Sequence, residues 1–237
     1  MKITWFGHSA FRLEFGSAVV LIDPFLSGNP SFTGDAMAAS SGATHVVLTH
    51  GHGDHVGDTA AIAERTGAKL VATFELCQFL AARGVKATDP MNTGGTTDQG
   101  AFTVSLTIAF HSSSEADANG VIQTLGLPNG VVITPKSASE PTVYHLGDTD
   151  IFSDLGLIAE IHQPAVAMVP IGDRFTMGAR TAAMAAKRFL PAVKTILPCH
   201  YATFPMLAPS ADDFLREMGD QAALRVRVPK VGEAFTV

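Results

Sequence analysis

The chain has 237 residues, 46% of them hydrophobic and 16% charged, which excludes a disordered, collagen-like or coiled-coil polypeptide. A chain this long buries about 70–75% of its extended surface and needs no covalent staple. Lys and Arg total 16 against 22 Asp and Glu, a formal net charge of -6, which removes the electrostatic footprint of a protein that grips nucleic acid or an anionic membrane.

In chain order, short apolar or alternating runs at 2–6, 10–15 and 18–22 predict a meander of strands. The run 45–49 predicts a further strand, followed by an amphipathic helix over 56–66 that Gly67 closes. A strand over 69–73 and a helix over 74–83, ended by Gly84, complete a β-α-β-α passage. From 101 to 146 the pattern turns to strands alone, at 102–110, 121–125, 131–134 and 142–146, with Asn-Gly and Ser-rich links. The last third alternates again: strand 165–171, helix 179–190, strand 194–197, and a helix opened by Ser210 and Asp213. No linker or low-complexity tract divides residues 1–237, so a single α/β domain with two sheets and outer helices is expected. Cys77 and Cys199 lack CxxC spacing and are expected to stay thiols. The first residues lack the apolar core of a secretory signal, and no stretch approaches the ~20 apolar residues of a membrane span, so a cytoplasmic location is expected.

The sharpest local signal is His50-Gly51-His52-Gly53-Asp54-His55, four ligand-type side chains within six residues, directly after the strand ending at Thr49. Three imidazoles and a carboxylate suit a borderline divalent ion, and the two glycines let the backbone fold so that the side chains converge. A solvated His-rich turn is the competing reading. Against it, His111, Asp148 and His200 each follow a predicted strand end, as does Asp23, where open α/β sheets gather their binding loops. Five His and two Asp, without Asp23, are enough for two metals.

His50-x-His52-x-Asp54-His55 followed by His111, Asp148 and His200 in that order resembles the metallo-β-lactamase superfamily signature. The phrases Trp5-Phe6-Gly7-His8-Ser9-Ala10-Phe11, Gly147-Asp148-Thr149, Pro170-Ile171-Gly172, Phe175-Thr176-Met177-Gly178 and His200-Tyr201-x-Thr203-Phe204-Pro205 are similar to its branch of cytoplasmic metal-dependent hydrolases, distantly similar to L-ascorbate 6-phosphate lactonase. The resemblance implies a four-layer αβ/βα sandwich, two mixed sheets flanked by helices, with metals at their shared edge. It implies that His50, His52 and His111 bind one ion, that Asp54, His55 and His200 bind a second, and that Asp148 bridges them. Asp23 and Asp58 would stand behind the ligands as hydrogen-bonding carboxylates.

The implied cofactors are two divalent ions, zinc first, with manganese and iron also used by such proteins. Such a pair holds a hydroxide and polarises the bond it attacks. Asp54 and Asp148 would be the carboxylates nearest the chemistry, acting on an ester, lactone or phosphodiester of a small metabolite. A single-iron dioxygenase and a non-catalytic metal-binding module are the alternatives on the same fold. The expected partner is therefore a small-molecule substrate, with no nucleic acid and no membrane; association into a homo-oligomer through a sheet edge or helix face is compatible with the fold. His8, Thr176 and Tyr201 are candidate substrate contacts, Phe175 and Phe204 candidate pocket walls, and His45, His145 and His162 are expected to be structural.

Overall fold

Period-two alternation decides which way each strand of the N-terminal half faces. In the structure, a computed structural model describing residues 1–117 and 119–237, the first elements are β1 (Lys2–Trp5), β2 (Phe11–Phe15), β3 (Ala18–Ile22), α1 (Ala36–Ala39), β4 (His45–Val47), α2 (Gly53–Val56), α3 (Thr59–Thr66), β5 (Lys69–Thr73), α4 (Phe74–Ala81) and β6 (Thr88–Met91). Phe11, Leu13, Val20, Val47 and Val71 point to one side and join the central core, whereas Leu21, Val46, Leu48, Leu70 and Ala72 point to the other and pack with Ile62, Leu76 and Leu80 of α3 and α4. Each of these Val, Leu, Ile and Phe side chains, fully buried, contributes about 1.5–3 kcal/mol.

The second half supplies β7 (Thr96–Asp98), β8 (Phe102–Ile108), β9 (Ser114–Ala116), β10 (Ile122–Thr124), β11 (Asn129–Pro135), β12 (Val143–His145), α5 (Leu155–His162), β13 (Val166–Pro170), α6 (Ala179–Arg188), β14 (Thr195–Cys199), α7 (Asp212–Met218), α8 (Gln221–Arg225) and β15 (Ala234–Thr236). One sheet of seven strands runs β15-β1-β2-β3-β4-β5-β6, one of six runs β14-β13-β12-β11-β8-β7, and β9 and β10 form a separate hairpin. Phe102, Val104, Val131 and Ile133 of the second sheet meet Leu13, Phe15 and Val20 of the first in one core. Ala182, Ala183, Ala185 and Ala186 of α6 are all buried, and their small size lets that helix lie close to the outer face of the second sheet. The result is helix, sheet, sheet, helix: the αβ/βα sandwich expected.

Topology then gathers the chemistry. β3, β4 and β5 run parallel, as do β12, β13 and β14, and β8 runs with β12 because both are antiparallel to β11. The C-terminal ends of β3, β4, β8, β12 and β14 therefore open at one edge, and the turn between β1 and β2 joins them there because Phe11 pairs with Ile22.

Three element expectations need correction. The single helix over 56–66 is two helices, α2 and α3, broken at Gly57 (φ 43°), where a Cβ would stand 2.5 Å from the Pro24 carbonyl oxygen and 2.6 Å from Phe25 Cα. No helix is expected between the strands over 142–146 and 165–171, yet α5 fills Leu155–His162 there. Leu157 and Ile161 of that helix are 56% and 72% exposed, so its apolar residues do not mark one face and its period is hidden. The third concerns edge strands β6, β7 and β15, which are short and half-exposed and carry almost no alternation to read.

Candidate metal centre

Every ligand-type residue of the sequence pattern lies at that one edge. Asp23 follows β3, His50 comes three residues after β4, His52 precedes α2, and Asp54 and His55 lie within it. His111 and Asp148 each come three residues after the ends of β8 and β12, and His200 directly follows β14. Gly147 (φ 67°) steers Asp148 inward, since a Cβ there would collide with the Asn129 carbonyl. Three non-glycine residues at the edge, His8 (φ 52°), Asp23 (φ 46°) and His200 (φ 58°), hold left-handed backbone, each at a cost on the order of 1 kcal/mol that the surrounding contacts must offset.

Asp23 is the anchor that sets the directions of the protons. Wholly buried, its carboxylate accepts from the Thr49 backbone N–H (2.8 Å), the Thr49 hydroxyl (2.6 Å) and His55 Nδ1 (2.7 Å). With its one proton spent on Asp23, the Thr49 oxygen accepts from His50 Nδ1 at 2.9 Å. His50 is thus held with Nδ1 protonated and Nε2 bare, and His55 with its Nδ1 proton on Asp23 and its Nε2 turned to the cluster, the orientation a metal requires. The bare His50 Nε2 stands 2.9 Å from His52 Nδ1, and His55 Nε2 faces the Asp148 carboxylate.

Asp148 stands where these imidazoles converge. Its Oδ2 lies 2.9 Å from His200 Nε2, 3.3 Å from His55 Nε2 and 3.6 Å from His111 Nε2, while its Oδ1, also buried, has no partner. Burial alone would raise the Asp148 pKa, but the His200 and His55 imidazoles hold the carboxyl well below the usual carboxylate range. Burial likewise works against a charged His55, and the carboxylates of Asp148 and Asp23 outweigh it and hold that imidazole well above its ordinary value. For His50, His52 and His111, burial first and neighbouring imidazoles second lower the pKa, so these rings stay neutral and able to ligate. The ligand atoms fall into clusters, His50 with His52 and His111, His50 with His55 and Asp148, and His8 with Asp54, His55 and His200, the atoms of each within 4.8 Å of one another. Orphaned buried acceptors facing one another are costly without a cation, and N/O donors in these numbers suit zinc-like ions.

Above the cluster opens a cavity of about 540 Å³. His52, Asp54, His111, Asp148 and His200 form its floor, Ser112 one side, and Phe175, Phe204, Met206 and Leu207 an apolar wall. Phe175 and Met206 are about half exposed. No Lys or Arg lines this cavity; Arg174 is exposed with its guanidinium 5.7 Å from the Phe175 ring, and Arg180 lies on a separate groove of α6.

Several expected contacts sit elsewhere. Tyr201 is buried and stacked on Trp5, ring centroids 5.4 Å apart, where burial pushes its phenol up to about 12. Thr176 turns its hydroxyl toward the Met177 carbonyl at 3.4 Å, leaving its neighbour Phe175 to line the wall. His8 is buried beneath the floor, Nε2 3.1 Å from Asp54 Oδ2 and Nδ1 3.0 Å from Thr203 Oγ1, and burial pushes its imidazole down to about 4. Asp58 touches no ligand side chain; its Oδ2 accepts the Leu26 and Ser27 N–H groups, both at 2.9 Å, and ties the segment after Asp23 to the start of α3. His45 and His145 lie within strands, His145 Nδ1 accepting the Gly147 N–H at 2.9 Å. Sequence reading missed Thr49, whose place at the end of the apolar run 45–49 gave no sign of its hydroxyl, and also Met206, Leu207, Ser112 and Thr203.

Fold and cluster together define a metal hydrolase of the metallo-β-lactamase type. A β-lactamase superfamily domain matches residues 19–201. A UPF0173 metal-dependent hydrolase of Methylobacterium nodulans is 59% identical over 240 residues, covering 100% of both chains, and one of Methylocella silvestris is 56% identical over 98% of both. The solved structure of Igni18, a metallo hydrolase from the archaeon Ignicoccus hospitalis, superposes with a TM-score of 0.86 at 32% identity, covering 100% of this chain and 98% of that one. The chain belongs to the UPF0173 metal-dependent hydrolases of the β-lactamase superfamily. No helix among the described residues is long and apolar enough to cross a membrane.

Proposed function

We propose that the chain acts as a single domain that holds two divalent ions, zinc foremost, and hydrolyses a carboxylic ester or lactone of a small, largely uncharged metabolite. His50, His52 and His111 would hold one ion, Asp54, His55 and His200 the other, with Asp148 between them. Such a pair supplies an activated water and a Lewis acid for the carbonyl oxygen. Asp54, half-buried and on the cavity floor, is placed to steer the attacking water or take its proton. Asp23 keeps His55 and, through Thr49, His50 in the tautomer that ligates.

The carrying observation is the contrast in the cavity between a His/Asp floor and a wall of Phe175, Phe204, Met206 and Leu207 without a cationic side chain. A phosphodiester would call for such a cation to offset its charge, whereas an apolar acyl or ring substituent would cover the wall. The test is hydrolysis of short-chain nitrophenyl esters, simple lactones and a bis-nitrophenyl phosphate, before and after chelation. Chelator-sensitive turnover of esters or lactones well above that of the phosphodiester is expected; preference for the phosphodiester, or turnover indifferent to chelation, would overturn the reading.

A further inference from the structure

The same accounting of hydroxyl protons that orients His50 applies at His8, whose role rests on the two-ion reading of the site. His8 is wholly buried in the β1–β2 turn. Its carbonyl is fixed from two sides, accepting from Trp5 Nε1 and from the His200 backbone N–H, both at 2.9 Å. The ring is as firmly placed as the backbone: Nδ1 meets Thr203 Oγ1 at 3.0 Å, and Nε2 meets Asp54 Oδ2 at 3.1 Å.

The Thr203 hydroxyl has one proton and donates it to the buried Tyr201 carbonyl at 3.1 Å, which has no other donor among the described residues. Its oxygen is then an acceptor toward His8, so Nδ1 carries the imidazole proton and Nε2 points a bare lone pair at a carboxylate oxygen. Two acceptors at that separation repel unless a cation lies against both. Donors each about 2.0–2.1 Å from one zinc-like ion stand about 2.9–3.3 Å apart, the interval in which this pair falls. His8 also shares its cluster, within 4.8 Å, with Asp54, His55 and His200.

We propose that His8 is a direct ligand, through Nε2, of the ion held by Asp54, His55 and His200. That ion then has one protein donor more than its partner and is the more tightly held of the two. Were the Thr203 proton turned to Nδ1, or were the ring an imidazolium, Nε2 would carry a proton and His8 would only hydrogen-bond to Asp54.

The test reads the ring directly. In protein labelled with nitrogen-15 at histidine and loaded with cadmium-113, His8 is expected to show a proton on Nδ1, none on Nε2, and a one-bond cadmium coupling at Nε2. His8→Gln keeps an N–H able to reach Asp54, and is expected to weaken one of the two ions by more than about 100-fold in chelator competition, beyond the 10- to 100-fold that loss of an outer partner costs. A proton on Nε2 of the loaded protein, or a loss of about 100-fold or less in the variant, overturns the assignment. Native protein that takes up no metal at all would instead overturn the two-ion reading, so the two failures are distinguishable.

Discussion

The floor and the wall of the cavity are built on opposite principles. On the floor and directly beneath it, Asp148, His200, His50 and His55 are buried, and Asp23 orients the last two imidazoles through contacts of 2.6 to 2.9 Å. On the wall, Phe175 and Met206 stand about half exposed, with packing as their only constraint. Rigid polar groups aimed at one point specify a reaction, and adaptable apolar groups around them specify what is admitted to it. The difference teaches that the chemistry of this fold can stay constant while its substrate changes.

The largest expected effect comes from breaking the floor where the clusters meet. Asp148→Asn should lose at least one bound ion and cost about a thousandfold or more in turnover, some 4 kcal/mol of barrier, checked by elemental analysis beside steady-state kinetics. Next comes Asp23→Asn, which keeps the shape but offers an amide where three donors converge; metal affinity should fall about 10- to 100-fold in chelator competition, with the fold retained by circular dichroism. On the wall, Phe204→Ala or Phe175→Ala should leave metal content unchanged while lowering kcat/KM about 10-fold for esters with an apolar acyl group and little for acetyl esters. A wall variant that lost metal would break the separation of the two regions.

The smallest effect tests the packing under the floor. Burial raises both tyrosines of the chain, Tyr201 from 10.0 to about 12 and Tyr144 further, so ultraviolet titration of the native protein should show no tyrosinate at pH 10 to 11. The unfolded chain's phenols ionise near 10, so the part of the stability linked to the buried Tyr201 phenol is intact below that pH and is lost as pH rises through about 12. A native phenol titrating near 10 would place Tyr201 at the solvent-facing wall after all.

The floor was legible in the sequence because ligands come in chemical types that cores reject: a His-rich turn after an apolar strand, then His111, Asp148 and His200 at later strand ends, define it without distances. Asp23 was legible for the same reason. Thr49 was not, because a hydroxyl closing an apolar run has the residue pattern of any core threonine, and only the 2.6 Å contact with Asp23 gives it a role. Tyr201 and Thr176 were misplaced for a related cause: adjacency to His200 and Phe175 along the chain says nothing of which side the chain turns to, and Tyr201 turns to Trp5. Met206 and Leu207 lie in a loop with no period to read, and α5 hid behind apolar residues on its exposed face. The helix break at Gly57 depended on the close approach of Pro24 and Phe25, some thirty residues away.

The proposal that two ions sit on this floor and sustain hydrolysis is tested most directly by elemental analysis of protein purified without added metal, read together with ester hydrolysis before and after chelation. About two zinc or manganese ions per chain are expected, lost to the chelator together with activity and restored together by the metal. A single iron per chain with oxygen consumption and no hydrolysis would contradict it.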